Sequence, residues 1–263
     1  MMENPELLYT KKDRIATITL NRPANLNSLS RNMLDGLVEA LEDADRDGEV
    51  RVLVLTGAGR AFCAGLDLKA QSSGDDSVAA PRVQTVDLQR MPPVILHRID
   101  KPVICAINGA AVGYGLDLSL GCDVRIASDN AKLGAVFTQR GIVPESGGTW
   151  YLPRLLGWGR AAEVVFGGRV LSAEEALAVG LVNKVVPADQ LMEEAIDLAQ
   201  QYAENAPLAM QASKRMMRLG LSESFEANVH HTMMQLRPLM ASEDFKEGVR
   251  AFLEKRKPNF VGR

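Results

Sequence analysis

Two glycine-containing turns constrain the possible folds of this chain most strongly. Each turn directly follows a short apolar run. Residues 51–56 (RVLVLT) and 103–107 (VICAI) are typical of buried strands. The turns after them, at residues 56–67 (TGAGRAFCAGLD) and 108–117 (NGAAVGYGLD), each end at a predicted helix N-terminus. Free N–H groups and the positive helix end suit an oxygen that gains negative charge there. Two such turns facing each other would form an oxyanion hole, although tight strand-to-helix turns need glycine in any case.

The rest of the first half repeats this strand-and-helix pattern. Residues 14–20 (RIATITL) alternate like a half-buried strand, and Ser30 is placed to cap a helix with apolar residues at helical spacing. An amphipathic stretch near 83–99, a helix at 113–120 and a strand at 122–127 make a second unit. We therefore predict an α/β fold.

Strand signals stop near residue 187, and the remainder predicts helices only. The predicted division is a catalytic core over residues 1–186 and a helical oligomerisation region over residues 187–263. The helices are expected at residues 187–205, 207–219, 222–236 and 242–255.

Composition bounds the class of protein. The chain has 263 residues, 46% of them hydrophobic and 24% charged, which fits one large globular domain or a domain with a smaller appendage. A net charge of −3 gives no general attraction to nucleic acid. Three cysteines without CxxC spacing predict reduced, buried thiols. No run of 18 apolar residues occurs, so we expect a soluble, cytoplasmic protein without membrane contact.

Six motifs occur in order at residues 21–23 (NRP), 61–68 (AFCAGLDL), 101–109 (KPVICAING), 121–123 (GCD), 141–149 (GIVPESGGT) and 252–256 (FLEKR). This order closely resembles the crotonase superfamily, which includes enoyl-CoA hydratases and enoyl-CoA isomerases. The resemblance runs from about residue 7 to the C-terminus. The resemblance implies a crotonase (ClpP-like) spiral of β-β-α units, whose helical C-terminal region builds a homotrimer or a hexamer made of two trimers. It also implies an acyl-CoA substrate and no nucleotide cofactor or metal.

The resemblance also implies a role for particular positions. The backbone N–H groups of Leu66 and Tyr114 correspond to the oxyanion donors, although Tyr114 replaces the commoner glycine. Phe252 and Lys255 match positions that often reach CoA from a neighbouring subunit. The positions that would contact the adenosine end of CoA are Ala24, Asn25, Leu26 and Ala64.

The carboxylates distinguish the reactions of the family. Hydratases carry two glutamates that position a water and deliver its proton. Those positions match Asp117 and Phe137 here, so the pair is broken and Phe137 is expected to be a pocket wall. Glu145 matches the acid of several enoyl-CoA isomerases, in which one base moves a proton from C2 to C4. We therefore predict an isomerase with Glu145 and Asp117 as the catalytic carboxylates.

Other interpretations of the sequence stay open. Glu145 could cap the next helix, Asp117 could be a first-turn acid that favours the helix dipole, and Phe137 could be ordinary core. The function could instead be hydration of a 2-enoyl-CoA by an altered carboxylate pair, or non-catalytic CoA or RNA binding on a retained fold. The polar stretch 70–82 is a candidate mobile loop over the site, and the acyl group is undetermined.

Overall fold

The computed structural model describes residues 4–67 and 88–263. The candidate loop at 70–82 and the start of the amphipathic stretch at 83–99 lie outside the described residues. Within the described part, the chain forms two sheets of different size with helices around them.

The larger sheet has six strands in the order β1-β2-β3-β5-β7-β10. Only the β1–β2 pair is antiparallel, and the other pairs are parallel. Every residue of β3 and β5 is buried, as expected for central parallel strands covered on both faces. The strands are β1 (Leu7–Lys12), β2 (Ile15–Leu20), β3 (Val52–Gly57), β5 (Val103–Ile107), β7 (Val124–Ser128) and β10 (Lys184–Val186).

The smaller sheet has four strands of three residues each, in the order β4-β6-β8-β9. After β3, β5 and β7 the chain enters this sheet at once, through β4, β6 and β8 respectively. Each circuit therefore adds one strand to each sheet, which is the β-β-α spiral predicted from the sequence. The strands are β4 (Ala61–Cys63), β6 (Ala110–Val112), β8 (Lys132–Gly134) and β9 (Val170–Ser172).

Ten α-helices lie in the described residues. The predicted cap is confirmed at the first of them, because the Ser30 side chain accepts a hydrogen bond from the Met33 N–H at 3.0 Å. The helices are α1 (Arg31–Arg46), α2 (Pro92–Arg98), α3 (Tyr114–Leu120), α4 (Gly148–Leu156), α5 (Trp158–Phe166), α6 (Ala173–Ala178), α7 (Leu191–Ala203), α8 (Pro207–Gly220), α9 (Phe225–Ala241) and α10 (Glu243–Glu254).

The core has two parts. The larger cluster fills the space between the sheets and helices α1–α6, and it includes the buried, free thiols of Cys63, Cys105 and Cys122. The smaller cluster lies on the other face of the six-stranded sheet, where α7 packs Leu191, Ala195 and its later alanines against β3 and β5. The four C-terminal helices occur where the sequence predicts helices. The first begins later than expected because residues 187–190 form a turn, in which the Gln190 N–H donates to the Pro187 carbonyl.

Helix α9 contrasts with α7, since none of its 17 residues is buried. It exposes a series of large apolar side chains, a feature typical of a surface that contacts another chain. Of the described helices, none is long and apolar enough to cross a membrane. The exposed apolar residues of α9 include Phe225, Val229, Met233, Met234, Leu236 and Met240.

Candidate active site

The two glycine-containing turns meet because their strands are neighbours. Strands β4 and β6 are parallel, with Ala61 opposite Ala110 and Cys63 opposite Ala111. Both strands lie inside the turns defined from the sequence, residues 56–67 and 108–117. Parallel strands end at the same edge of a sheet, so residues 64–67 and 113–117, which follow them, lie side by side. The packing is close: a Cβ at Gly115 would lie 2.1 Å from the Cys63 carbonyl oxygen. The predicted need for glycine is therefore steric at this position.

A β-bridge sets the direction of the Leu66 N–H. Leu66 pairs with Leu29 in a parallel bridge, which uses the Gly65 carbonyl and the Asp67 N–H as its two hydrogen-bonding groups. The distances are 2.8 Å from Leu29 N to Gly65 O and 3.2 Å from Asp67 N to Leu29 O. Successive peptide groups of an extended chain point to opposite sides, so the Leu66 N–H points away from Leu29. No backbone acceptor for it is found in the described residues.

The second donor lies at a helix start. Tyr114 is the first residue of α3, after Gly113 with φ of 57° and ψ of −126°, and the first N–H groups of a helix have no partner inside it. Within residues 4–67 and 88–263, its N–H also has no backbone acceptor. Gly65 brings the two donors together, because a Cβ there would lie 3.6 Å from the Tyr114 nitrogen. Two N–H groups on adjacent turns, without a backbone acceptor among the described residues, are suited to stabilise one oxyanion.

Glu145 lies on the turn that leads into α4. The residue is exposed, and within the described residues its carboxylate has no hydrogen bond or ion pair to any other residue; only its own backbone N–H donates to it. Even so, partial burial raises its pKa above the ordinary value for glutamate. Helix α4 begins after Gly147 without a side-chain cap, so the helix-capping interpretation of Glu145 has no support here. An exposed carboxylate with no ion-pair partner among the described residues and a raised pKa is suited to exchange a proton with a ligand.

Asp117 lies beneath that turn and is fully buried. Its Oδ2 accepts the Ser146 N–H at 3.1 Å, while its Oδ1 lies so close to Gly148 that a Cβ there would be 2.2 Å away. Burial raises the pKa of Asp117 to about 7, against the opposing effect of the nearby Gly148 and Ser146 N–H groups. The charge of Glu145 raises it further, so the two carboxylates lie within electrostatic range. Asp117 therefore supports the Glu145 turn from inside the protein.

Sequence reasoning used Tyr114 only for its N–H and missed its side chain. The residue is 6% exposed and belongs to the larger core cluster. Burial raises the pKa of the phenol well above its usual range, and the neighbouring Ser146 hydroxyl opposes this in part. The charges of Glu145 and Asp117 also act on the phenol. The sequence signal that could have indicated a role for this side chain is the tyrosine itself, at a position where glycine is commoner.

Phe137 is 2% exposed and belongs to the larger core cluster. It follows β8, and its carbonyl accepts the Arg140 and Ile142 N–H groups in a tight turn. The structure thus places an apolar, buried ring at the position where a second carboxylate would be expected. Both the pocket-wall and the core interpretations are compatible with this placement.

The predicted CoA-binding residues fall into two groups. Pro23–Asn25 form a short 3-10 turn, and the Leu26 carbonyl accepts the Ala64 N–H at 3.0 Å, so the first group is assembled beside Leu66. Phe252 and Lys255 instead lie at the end of α10, where Phe252 is 83% exposed and the Lys255 N–H donates to the Phe252 carbonyl. Among the described residues, no hydrogen bond or ion pair connects Phe252 or Lys255 with the two turns of the same chain.

Sequence reasoning also missed Arg22 as a member of the site. Its guanidinium lies 3.0 Å from an Asp67 carboxylate oxygen, directly after the donor Leu66. The two residues are 45 positions apart, so no local pattern reports the contact. No cluster of three or more metal-ligating side chains is present in residues 4–67 and 88–263.

Comparison with known proteins is consistent with this geometry. Residues 10–263 match the model of the enoyl-CoA hydratase/isomerase family. The chain is 38% identical to 2,3-dehydroadipyl-CoA hydratase of Escherichia coli (strain K12), over 98% of this chain and 99% of that protein. It is 39% identical to 1,2-epoxyphenylacetyl-CoA isomerase of the same strain, over 95% of each chain.

Solved structures show the same likeness. The crystal structure of enoyl-CoA hydratase from Bacillus anthracis superposes with a TM-score of 0.90 at 37% identity, covering 98% of this chain and 100% of that one. The enoyl-CoA hydratase from Mycobacterium tuberculosis H37Rv gives a TM-score of 0.90 at 35% identity, with the same coverage.

Proposed function

The chain belongs to the enoyl-CoA hydratase/isomerase family and is an acyl-CoA-processing enzyme, and we propose that its reaction is the shift of a double bond in an enoyl-CoA. The observation that carries this proposal is that the three positions where the family carries catalytic acids differ in charge and in exposure to solvent. Glu145 has an exposed carboxylate with no partner among the other described residues, Asp117 is fully buried, and Phe137 has no ionisable group. One accessible base suits proton transfer within the substrate better than activation of a water by two acids.

In the proposed mechanism, the thioester oxygen accepts the N–H groups of Leu66 and Tyr114. Glu145 removes a proton from C2, and the negative charge moves onto the oxygen, where the two donors stabilise it. The same carboxylate then returns the proton to C4, so the double bond moves without loss or gain of atoms. Because the reaction has no net redox change, it calls for no cofactor beyond the CoA carried by the substrate.

We place the adenosine end of CoA against Ala24, Asn25, Leu26 and Ala64. Ala24 and Asn25 are exposed, and Leu26 and Ala64 are joined by the hydrogen bond beside Leu66. A thioester that reaches both N–H donors would thus leave its CoA along this surface. Phe252 and Lys255 are proposed to complete the CoA site from a neighbouring subunit.

A homotrimer, or a hexamer of two trimers, is the proposed assembly. The exposed apolar side chains of α9 support it. In a monomer these side chains would contact water, whereas a neighbouring subunit would bury them. Light scattering should give roughly three or six times the chain mass of 28.6 kDa. A monomer of full activity would contradict both the assembly and the shared CoA site.

The isomerase proposal is tested by product analysis in D₂O with 2-enoyl- and 3-enoyl-CoA of several chain lengths. We expect 3-enoyl-CoA to become 2-enoyl-CoA without a hydroxyacyl product. Glu145→Gln should lower kcat by about 10²- to 10⁴-fold, the usual contribution of a general base. Glu193→Gln, the same change on the exposed face of α7, is the matched control. Isomerisation at the parent rate by Glu145→Gln would refute the proposal.

One observation favours hydration as the second candidate. The charge of Glu145 raises the pKa of Asp117, and both charges act on the Tyr114 phenol, so two carboxylates do lie near the proposed oxyanion hole. Prompt conversion of 2-enoyl-CoA into 3-hydroxyacyl-CoA, lost in Asp117→Asn as well as in Glu145→Gln, would establish this alternative. Formation of neither product, together with salt-dependent binding of RNA, would indicate a non-catalytic scaffold.

A further inference from the structure

The segment that precedes α1 runs along the strand and turn that carry Leu66. Three backbone hydrogen bonds join them: Ala64 N to Leu26 O at 3.0 Å, Leu29 N to Gly65 O at 2.8 Å, and Asp67 N to Leu29 O at 3.2 Å. The Leu66 N–H lies between the last two of these bonds. Its direction is therefore set by the position of this segment.

The segment holds an unfavourable backbone conformation. Leu26 and Asn27 both have left-handed φ values, 53° and 54°, which non-glycine residues rarely adopt. Consecutive residues of this kind persist only when the surroundings hold them. Asn27 provides part of the restraint: it is fully buried, its Oδ1 accepts the Arg22 N–H at 2.8 Å, and its Nδ2 donates to the Ala58 and Ala61 carbonyls at 2.9 and 2.7 Å.

The Arg22 guanidinium provides the other part. Its Nη1 lies 3.0 Å from Asp67 Oδ2 and donates to the Ser28 carbonyl at 2.7 Å, and its Nε lies 3.0 Å from Glu6 Oε1. The side chains of Arg22 and Asp67 are only 18% and 9% exposed, so this ion pair is shielded from solvent. The planar guanidinium thus holds three groups in a fixed arrangement. They are the Ser28 carbonyl, the Glu6 carboxylate and the carboxylate of Asp67, the residue directly after Leu66.

We propose that Arg22 is a positioning residue for the oxyanion hole, which fixes the direction of the Leu66 N–H by holding Asp67 and the Ser28 carbonyl. The inference rests on the proposed role of Leu66 as an oxyanion donor. Arg22 does not touch the substrate. It acts through Asp67, whose N–H and side chain are both anchored, so that the peptide group of Leu66 has little freedom to rotate.

This role has a kinetic signature. A donor that strengthens its bond only as charge develops on the thioester oxygen contributes to kcat more than to KM. Loosening the donor should therefore lower kcat, whereas a loosened CoA surface at Leu26 would raise KM. Misplacement of a catalytic group by about 1 Å, or loss of one donor, lowers the rate by roughly 10²-fold or more.

The test uses the full chain and two Arg22 variants. Arg22→Met removes all donors at similar length, and Arg22→Lys keeps the charge with a single point of donation. Arg51→Met is the matched control, because Arg51 is another buried arginine, which donates to the carbonyls of Ala203 and Phe260 far from the two turns in the fold. The readouts are thermal stability, kcat and KM for 3-enoyl-CoA, and the spectrum of a bound chromophoric thioester, 4-(dimethylamino)cinnamoyl-CoA.

The spectrum reports the hydrogen bonds to the thioester oxygen directly, since polarisation of the carbonyl moves the absorption to longer wavelength. For Arg22→Met we expect kcat to fall about 10- to 100-fold, with KM within about threefold and most of the red shift lost. Arg22→Lys should be intermediate in both. Arg51→Met should lose stability but keep the parent's red shift and kcat.

A folded Arg22→Met with the parent's red shift, or one that raises KM alone, would overturn the inference. If Arg22→Met does not fold, Arg22→Lys decides: an unchanged red shift and kcat in that variant overturns it equally. Failure of the proposed function is distinguishable, because the parent itself would then not isomerise 3-enoyl-CoA, whereas a parent without a red shift would lack the oxyanion role of Leu66. Glu145→Gln separates the two roles further, since it should lose turnover while keeping the red shift.

Discussion

Replacement of Asp117 by asparagine should change how the stability of the protein depends on pH. Burial raises the pKa of Asp117 to about 7 in the folded chain, whereas an aspartate in the unfolded chain titrates near 3.9. Between these values the folded state holds a proton that the unfolded state has released. The contribution of Asp117 to the free energy of unfolding is therefore greatest below about pH 4, falls as the pH rises towards about 7, and is constant above it.

The magnitude follows from the two pKa values. One pH unit corresponds to about 1.36 kcal/mol, so the difference between about 7 and about 3.9 amounts to roughly 4 kcal/mol at pH 8. Asparagine keeps an acceptor for the Ser146 N–H and removes the charge. The free energy of unfolding of Asp117→Asn, relative to the parent, should therefore rise by about 4 kcal/mol between pH 4 and pH 8.

The assay is urea unfolding at half-unit intervals from pH 4 to pH 8, at one fixed protein concentration because assembly also contributes to stability. Taking the difference between variant and parent removes the titration of all other groups. Asp129→Asn, at an exposed aspartate, is the control and should follow the parent. A difference for Asp117→Asn that stays constant across this range would refute the reasoning, since Asp117 would then be ionised throughout.

Three further predictions concern the site and its support. Because burial raises the pKa of Glu145 and the base must be ionised, kcat should increase with pH through a value above the ordinary glutamate pKa of about 4.3; a profile that is flat down to pH 4.5 would contradict this. Gly115→Ala places a Cβ 2.1 Å from the Cys63 carbonyl oxygen, so we expect the free energy of unfolding in urea to fall by about 1–3 kcal/mol and turnover to decrease. Unchanged values of both would show that the turns are not packed as described. Ser30→Ala removes the cap on the Met33 N–H and the hydrogen bond from the Ser30 hydroxyl to the Glu6 carboxylate, so it should cost about 1 kcal/mol in the same assay, and unchanged stability would contradict the cap.

The sequence predicts well those features that depend on neighbouring residues. The five apolar residues 103–107 form β5 with the predicted bounds, and the Ser30 cap and helix α3 occur at the expected positions. The strands of the smaller sheet give no such signal. Three residues are too few to show alternation, and β4, β6 and β8 are stabilised by pairing with strands from distant parts of the chain.

The parts of the candidate site that sequence reasoning missed are all long-range contacts. Asp117 meets the Ser146 N–H across 29 positions, and Arg22 meets Asp67 across 45. Nothing in the local pattern distinguishes a first-turn acid that favours the helix dipole from one that is buried under another turn. The burial of Asp117 and its hydrogen bond to the Glu145 turn are therefore results of the structure, whereas its catalytic role stays a prediction.

The two tasks of the proposed reaction are assigned to different parts of the chain. Backbone N–H groups hold the oxygen, and a backbone donor does not depend on the side chain, which is why Tyr114 can occupy a donor position where glycine is commoner. Proton transfer depends entirely on side chains, so replacement of one acid changes the reaction without changing the fold. In this chain the exposed Glu145, the buried Asp117 and the apolar Phe137 leave one carboxylate with access to a substrate. An isomerase requires one such group, whereas a hydratase of the two-glutamate type requires a second acid that reaches the water.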